Sequence, residues 1–257
     1  MHFQEFLPIV ASAHGHEVDR VIYWVHLFIF LLFIGWSLYF VVALFKFRKK
    51  KNPKANYEGV HSHVSTVVEV GVVLFEAVLL IGFSIPFWAK NVTALPRGAE
   101  VIEVRVNAEQ FAWNIHYPGL DGIFGKTDLK FFDKESNPMG LDPNDPAGID
   151  DVTTINQLHL PVDKTALITL TSRDVIHSFF LPVMRVKQDV IPGMRIPIWF
   201  TPIKKGSWEI ACAQLCGLGH YRMRGFLTVQ SLEEFKAWLE KESTPRSDNE
   251  VHDAFWN

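Results

Sequence analysis

The chain has 257 residues, 48% of them apolar, and a formal net charge of −3. That length exceeds one small module and fits a membrane hairpin followed by one domain. A net charge so close to balance gives no reason to expect a nucleic-acid partner.

Residues 1–20 read as an extracytoplasmic N-terminal segment. They carry Glu5, lack a basic start and have only a short apolar run, which makes a poor signal peptide. Ala11-Ser-Ala13 is a candidate processing site. From Val21 to Phe45 no residue carries a formal charge, and this length crosses about 30 Å of hydrocarbon as a helix. Lys46, Arg48, Lys49, Lys50, Lys51 and Lys54 follow at once, and by the positive-inside rule they belong in the cytoplasm. A second apolar segment, Val67 to Ala89, ends in the aromatic pair Phe87-Trp88, suited to the membrane interface. The expectation is a two-helix transmembrane hairpin over 21–90 with a cytoplasmic basic loop at 46–64. It would sit in membrane lipid, in a bacterial-type inner membrane, with the N-terminus and everything beyond about residue 90 on the periplasmic side. Glu69 and Glu76 lie on nearly the same face of the second helix. Ionisable groups inside a span usually face a bundle interior or a water path.

Beyond residue 90 the pattern turns to short strands. Val101 to Val106, Thr165 to Thr171 and Arg195 to Phe200 alternate, and Ser207 to Cys212 and Gly225 to Gln230 complete the run. This predicts an all-β sandwich or barrel over 91–230 rather than a βαβ fold. Residues 118–163 read as a loop-rich insertion holding Asp128, Asp133, Glu135, Asp142, Asp145, Asp150 and Asp151. An acidic surface of this kind steers a basic partner, and EF-hand spacing is absent. Ser231-Leu-Glu-Glu234 is a capping box that opens a short C-terminal helix to about Glu242. The rest of 231–257 is expected to be a mobile tail.

The most informative stretch is Cys212-Ala-Gln-Leu-Cys216-Gly-Leu-Gly-His220-Tyr-Arg-Met223, with His177-Ser178 upstream. Cysteine and methionine are soft ligands that select copper, and imidazole suits copper as well. Two cysteines are enough for both sulfurs to bridge a pair of copper ions. One histidine would then serve each metal, with Met223 and a backbone carbonyl as weak axial ligands. Two other uses remain open at this level: a disulfide between the cysteines, and one zinc ion held by His177, Cys212, Cys216 and His220. Zinc has no use for the thioether of Met223. Phe179, Phe180, Trp208 and Leu215 are expected to pack behind the site and exclude water. A haem-attaching Cys-x-x-Cys-His motif is absent.

Asp174-Val-Ile-His177-Ser, Lys187-Gln-Asp189-Val-Ile-Pro192-Gly193 and the Cys212 to Met223 run resemble subunit II of haem–copper cytochrome c oxidases. The resemblance runs from the hairpin to Gln230. It implies a cupredoxin-like Greek-key barrel carrying a dinuclear copper centre of the CuA type. The ligands carried over are His177, Cys212, the main-chain carbonyl of Gln214, Cys216, His220 and Met223. It further implies electrons arriving from cytochrome c, or a cytochrome c domain, and passing to haem in subunit I, where oxygen is reduced to water. On that view the chain is a subunit of an oxidoreductase, carries electron transfer only and holds no catalytic residue.

Three departures from the family pattern bear on function. Gln214 stands where a glutamate commonly binds magnesium or manganese at the subunit I interface, and a neutral amide holds hard cations less well. Gln110-Phe111-Ala112-Trp113 replaces a Gln-Trp-x-Trp pattern, so Phe111 and Trp113 become the candidates for electron uptake. Glu69 matches a glutamate at a proton-pathway mouth, but Val72-Val73 and Glu76 depart from its usual surroundings. The other readings are the copper subunit of a nitric oxide reductase and a non-catalytic, membrane-anchored copper or zinc protein. The quinol-oxidizing variant of this subunit lacks the copper ligands and is set aside.

Overall fold

The structure, a computed structural model, describes residues 7–54, 57–58, 61–92, 95–98 and 100–243. Glu5 and the tail expected to be mobile lie outside the described residues. The described residues form two compact units, one within 17–92 and a second made of 7–16 with the chain from 95 to 243.

The first unit is helical. α1 (Gly15–Lys46) runs for 32 residues, with Lys46 in its last turn. α2 (Val64–Leu79) continues through a π turn (Leu80–Ser84) into α3 (Ile85–Val92). Pro86 has no N–H to donate, and the turn that widens lies immediately before it. The Ser84 hydroxyl donates to the carbonyl of Leu79 there at 3.3 Å. Phe28 meets Phe75 with ring centroids 4.5 Å apart, and Lys90 pairs with Glu17 at 3.1 Å, so the hairpin is antiparallel with its open ends together. Gly15–Lys46 and Val64–Lys90 have mean hydropathies of 2.6 and 2.3 and are long enough to cross a bilayer. Their large apolar side chains are exposed in this chain alone, as lipid-facing helices require. Glu69 and Glu76 are exposed on α2 as well.

The second unit is a sandwich of two five-stranded sheets. The first contains β1 (Ile102–Glu109), β2 (Ala112–Tyr117), β3 (Val152–Ile155), β5 (Ala166–Ser172) and β8 (Ile196–Phe200), in the order β3-β2-β1-β5-β8. The second contains β4 (Gln157–Pro161), β6 (His177–Leu181), β7 (Val186–Val190), β9 (Gly206–Cys212) and β10 (Arg224–Gln230), in the order β4-β10-β9-β6-β7. β1–β5 and β4–β10 are parallel and the other pairs antiparallel, so the chain crosses repeatedly between sheets. Period-two alternation points one side chain in two inward. Val104, Val106, Trp113, Ile115, Ile168, Leu170, Phe179, Ile210 and Leu227 are at most 1% exposed. Fully burying a large apolar side chain contributes roughly 1.5–3 kcal/mol, and this layer supplies most of the unit's cohesion.

α4 (Leu232–Ser243) closes one end. The capping box forms as expected: the N–H of Ser231 donates to Glu234 at 2.6 Å, and the N–H of Glu234 donates to the Ser231 hydroxyl at 3.1 Å.

Two regions differ from the reading by sequence. Residues 118–163 are not loop throughout, because β3 and β4 occupy 152–161, hidden by polar residues in Val152-Thr-Thr-Ile155. The remainder is pinned to the sheet. The Arg105 guanidinium lies 3.8 Å from the Phe124 ring centroid and that of Arg173 lies 3.8 Å from Phe132, while His116 bonds Asp151 at 2.5 Å with both side chains fully buried.

The segment taken as 1–20 also divides. Gly15 already starts α1, whereas Ala11 donates to Val183, Ala13 donates to Thr201, and the carbonyl of Ala11 accepts from Ile203. Ala11-Ser-Ala13, the candidate processing site, is therefore held in the β unit, with Ala11 and Ser12 fully buried.

Candidate metal centre

The cluster forms where neighbouring strands of the second sheet end. His177 opens β6, Cys212 closes β9, and the loop to β10 carries Gln214, Cys216, His220 and Met223. Antiparallel pairing of β6 with β9 sets Phe179 opposite Cys212, which brings His177 and Cys212 together across 35 positions of sequence.

The two sulfurs lie 3.8 Å apart, and both cysteines are free. A covalent bond needs about 2.05 Å, so the disulfide use does not apply. His177 Nδ1 is 3.9 Å from the Cys212 sulfur, and His220 Nδ1 is 3.6 Å from the Cys216 sulfur. Met223 Sδ lies 3.7 Å from the Cys216 sulfur, and the Gln214 carbonyl lies 3.2 Å from that of Cys212. Each sulfur thus has its own imidazole and its own weak donor.

His177, Cys212 and Cys216 offer ligand atoms within 4.8 Å of one another, and His220 falls outside that group. Ligands about 2.0–2.3 Å from one zinc ion cannot be further apart than about 4.6 Å. One ion cannot take all four as they stand.

Electrostatics point the same way. Burial raises the Cys212 thiol, but hydrogen bonds from His177 and the main chain of Ser178 outweigh it and bring it down to about 6. Cys216 is pushed up to about 12 by burial and then by the charge on Cys212. Two adjacent thiolates coexist only with positive charge between them, which a bound metal supplies. Burial lowers His177, yet hydrogen bonds to Cys212 and Asp174 leave it raised. Its Nε2 bonds Asp174 Oδ1 at 2.9 Å, which fixes the ring and directs Nδ1 at the sulfurs.

The other expected residues separate. Trp113 is fully buried on β2, its ring 6.2 Å from His177 and edge-on to Phe179 at 5.3 Å. It therefore offers no surface to a donor protein. Phe111 is half-buried in the β1–β2 turn, its ring against Gly217 and Gly219 of the ligand loop. A Cβ on Gly219 would meet that ring at 2.4 Å, so only glycine permits the contact.

Leu215, expected to exclude water, is 78% exposed. The loop turns its sulfurs and the Gln214 carbonyl inward, which leaves the side chains of Gln214 and Leu215 outside. Leu218 and Tyr221 of the same loop are exposed as well. Asp174 and Gln110 are the polar supports that sequence reasoning missed. Their contact joins positions 64 apart, and no local pattern marks it.

The profile of the family "Cytochrome C oxidase subunit II, periplasmic domain" matches residues 102–230. An alternative cytochrome c oxidase subunit 2 from Bradyrhizobium diazoefficiens is 35% identical over 91% of this chain and 83% of its own length. A cytochrome c oxidase subunit 2 from Cereibacter sphaeroides is 27% identical over 87% and 77%. Among solved structures, the periplasmic domain of subunit II of cytochrome oxidase from Bradyrhizobium japonicum aligns with a TM-score of 0.42 at 29% identity. That alignment covers 57% of this chain and 95% of that one. With a matching domain profile, relatives aligned over most of their length and two apolar helices ahead of the β unit, this chain belongs to the subunit II family of the cytochrome c oxidases.

Proposed function

We propose that this chain is the electron-accepting subunit of a respiratory terminal oxidase. His177, Cys212, the carbonyl of Gln214, Cys216, His220 and Met223 would hold a pair of copper ions outside the membrane. The observation that carries this is the shape of the cluster: two sulfurs 3.8 Å apart, each with a separate imidazole nitrogen within 4 Å. Soft sulfur and imidazole donors suit copper. When bound, copper at these residues would supply one-electron uptake and release. The chain supplies rigidity. Strand ends fix His177 and Cys212, Asp174 fixes the imidazole, and buried Trp113 and Phe179 keep water from behind it.

Phe111, packed on the ligand loop, is the point of electron uptake in this reading, and cytochrome c or a cytochrome c domain is the donor. Asp128 and Asp133 of the acidic insertion are held below the usual carboxylate range, chiefly by main-chain N–H groups of Lys130 and Ser136. They stay ionised at neutral pH and attract a basic partner. Haem in subunit I receives the electrons. The basic run from Lys46 to Lys54 faces the cytoplasm. Glu69 and Glu76, costly in lipid, face a neighbouring oxidase subunit, with Glu69 at a proton path. Gln214 brings an amide and no carboxylate, so this chain adds little to a magnesium or manganese site.

Metal analysis and electron paramagnetic resonance of the purified oxidase test the reading. Two copper ions per copy of this chain, with a signal split by two equivalent copper nuclei, are expected. One metal ion, or zinc, would remove it in favour of an anchored metal protein. A partner that reduces nitric oxide rather than oxygen would favour a nitric oxide reductase.

A further inference from the structure

We infer that Gln110 is a positioning residue for electron uptake, fastening the Phe111 turn to both halves of the ligand set. This rests on the copper reading above. The main-chain N–H of Gln110 donates to Asp174 Oδ2 at 2.7 Å, and Asp174 Oδ1 holds His177 Nε2 at 2.9 Å. The side-chain amide of Gln110 donates to the carbonyl of Cys216 at 2.6 Å. One residue therefore touches the Cys216 segment directly and the His177 segment through one carboxylate.

The next residue, Phe111, lies on the same loop. A Cβ on Gly217 would meet Gln110 Nε2 at 2.7 Å, so turn and loop are already in van der Waals contact. Electron tunnelling falls steeply with each added ångström of gap. A clasp that holds an aromatic ring on the backbone between Cys216 and His220 sets the rate of uptake without touching metal or donor. The amide of Gln110 fixes the direction of the Cys216 carbonyl.

Gln110→Glu tests the clasp with little change of shape, because an ionised carboxylate cannot donate to the Cys216 carbonyl while its main-chain N–H still serves Asp174. In the metal-free full-length chain, Cys216 is expected to react with a small alkylating reagent about two to ten times faster, as loss of one net hydrogen bond allows. In the copper-loaded oxidase, reduction by cytochrome c is expected to slow about tenfold or more at unchanged copper content. Phe111→Ala is expected to slow it similarly, and the double variant to be little worse than either, since the two act as one unit.

Wild-type alkylation and wild-type reduction in Gln110→Glu would overturn the inference and leave the copper reading standing. So would a slow Gln110→Glu beside a normal Phe111→Ala, because the effect would not then pass through the ring. A wild-type oxidase without copper would overturn the copper reading itself. Gln110→Ala repeats the test if the glutamate variant does not fold.

Discussion

The two ends of β2 rest on different physics. At the first end, Trp113 lies beside His177, and the neighbourhood is built from sulfur, imidazole, glycine and hydrogen bonds between distant loops. At the other, Tyr117 is buried beneath α4, its hydroxyl accepting from the N–H of His159 at 2.7 Å and donating to the carbonyl at 3.1 Å. There Trp238 packs on Tyr117 at 5.1 Å and stacks on His159 at 4.2 Å, nearly parallel at 9°. Geometry is held by directional bonds at one end and by aromatic area at the other. Binding and stability should therefore be separable by substitution.

The largest expected effect breaks the first end alone. Cys216→Ser replaces a soft sulfur with a hard oxygen that does not bridge copper. Copper content should fall below one ion per chain, and visible thiolate–copper absorption should vanish. Cys216 is only 3% exposed, so burying a hydroxyl in its place costs about 1 kcal/mol, which lowers the melting temperature of the metal-free β unit by roughly 2–4 °C. Collapse of the whole unit in this variant would show that the cluster also bears the fold.

Trp238→Ala does the reverse. Removing the indole strips the cover from Tyr117 and His159 together, at a cost of about 3 kcal/mol. The melting temperature should drop by roughly 6–12 °C. Copper content and absorption at low temperature should match the wild type, because no residue of α4 is among the proposed ligands. A changed copper spectrum would mean that β2 transmits strain between its ends.

How far the sequence disclosed each region follows from the range of the contacts that built it. Alternating strands such as β1 and β5 are local patterns, and the proposed copper ligands were legible because five of the six crowd into Cys212 to Met223. The capping box at Ser231 is equally local. β6 was not legible, since His177-Ser-Phe-Phe-Leu181 is buried at nearly every position and shows no alternation. The strapping of 7–14 onto the β unit depends on Val183, Thr201 and Ile203, far along the chain. Leu215 was misread for the opposite reason. An apolar residue between two cysteines looks internal, but a loop that turns its carbonyl and sulfurs inward must turn this side chain out. The insertion read as loop-rich because its anchors, Phe124 and Phe132, find their arginines far away in sequence, Arg105 on β1 and Arg173 just after β5.

The smallest predicted effect sharpens the α4 end through pH. Burial holds His159 below its ordinary value of 6.5, partly offset by a hydrogen bond to Gln230. The fold thus prefers the neutral ring, which suits a flat stack on Trp238. For a group depressed in the folded state, the stabilising contribution is full above the unfolded value and is lost as pH falls through the folded one. The unfolded chain takes up the proton first, beginning near 6.5, and stability declines from there downward. His159→Phe keeps an aromatic ring against Trp238 but removes the titration. Between about pH 7 and pH 5, its melting temperature should fall less than that of the wild type, while the two differ little above neutrality. Parallel melting curves across that interval would mean that the proton reaches the folded ring as easily as the unfolded one, and that α4 is held by area alone.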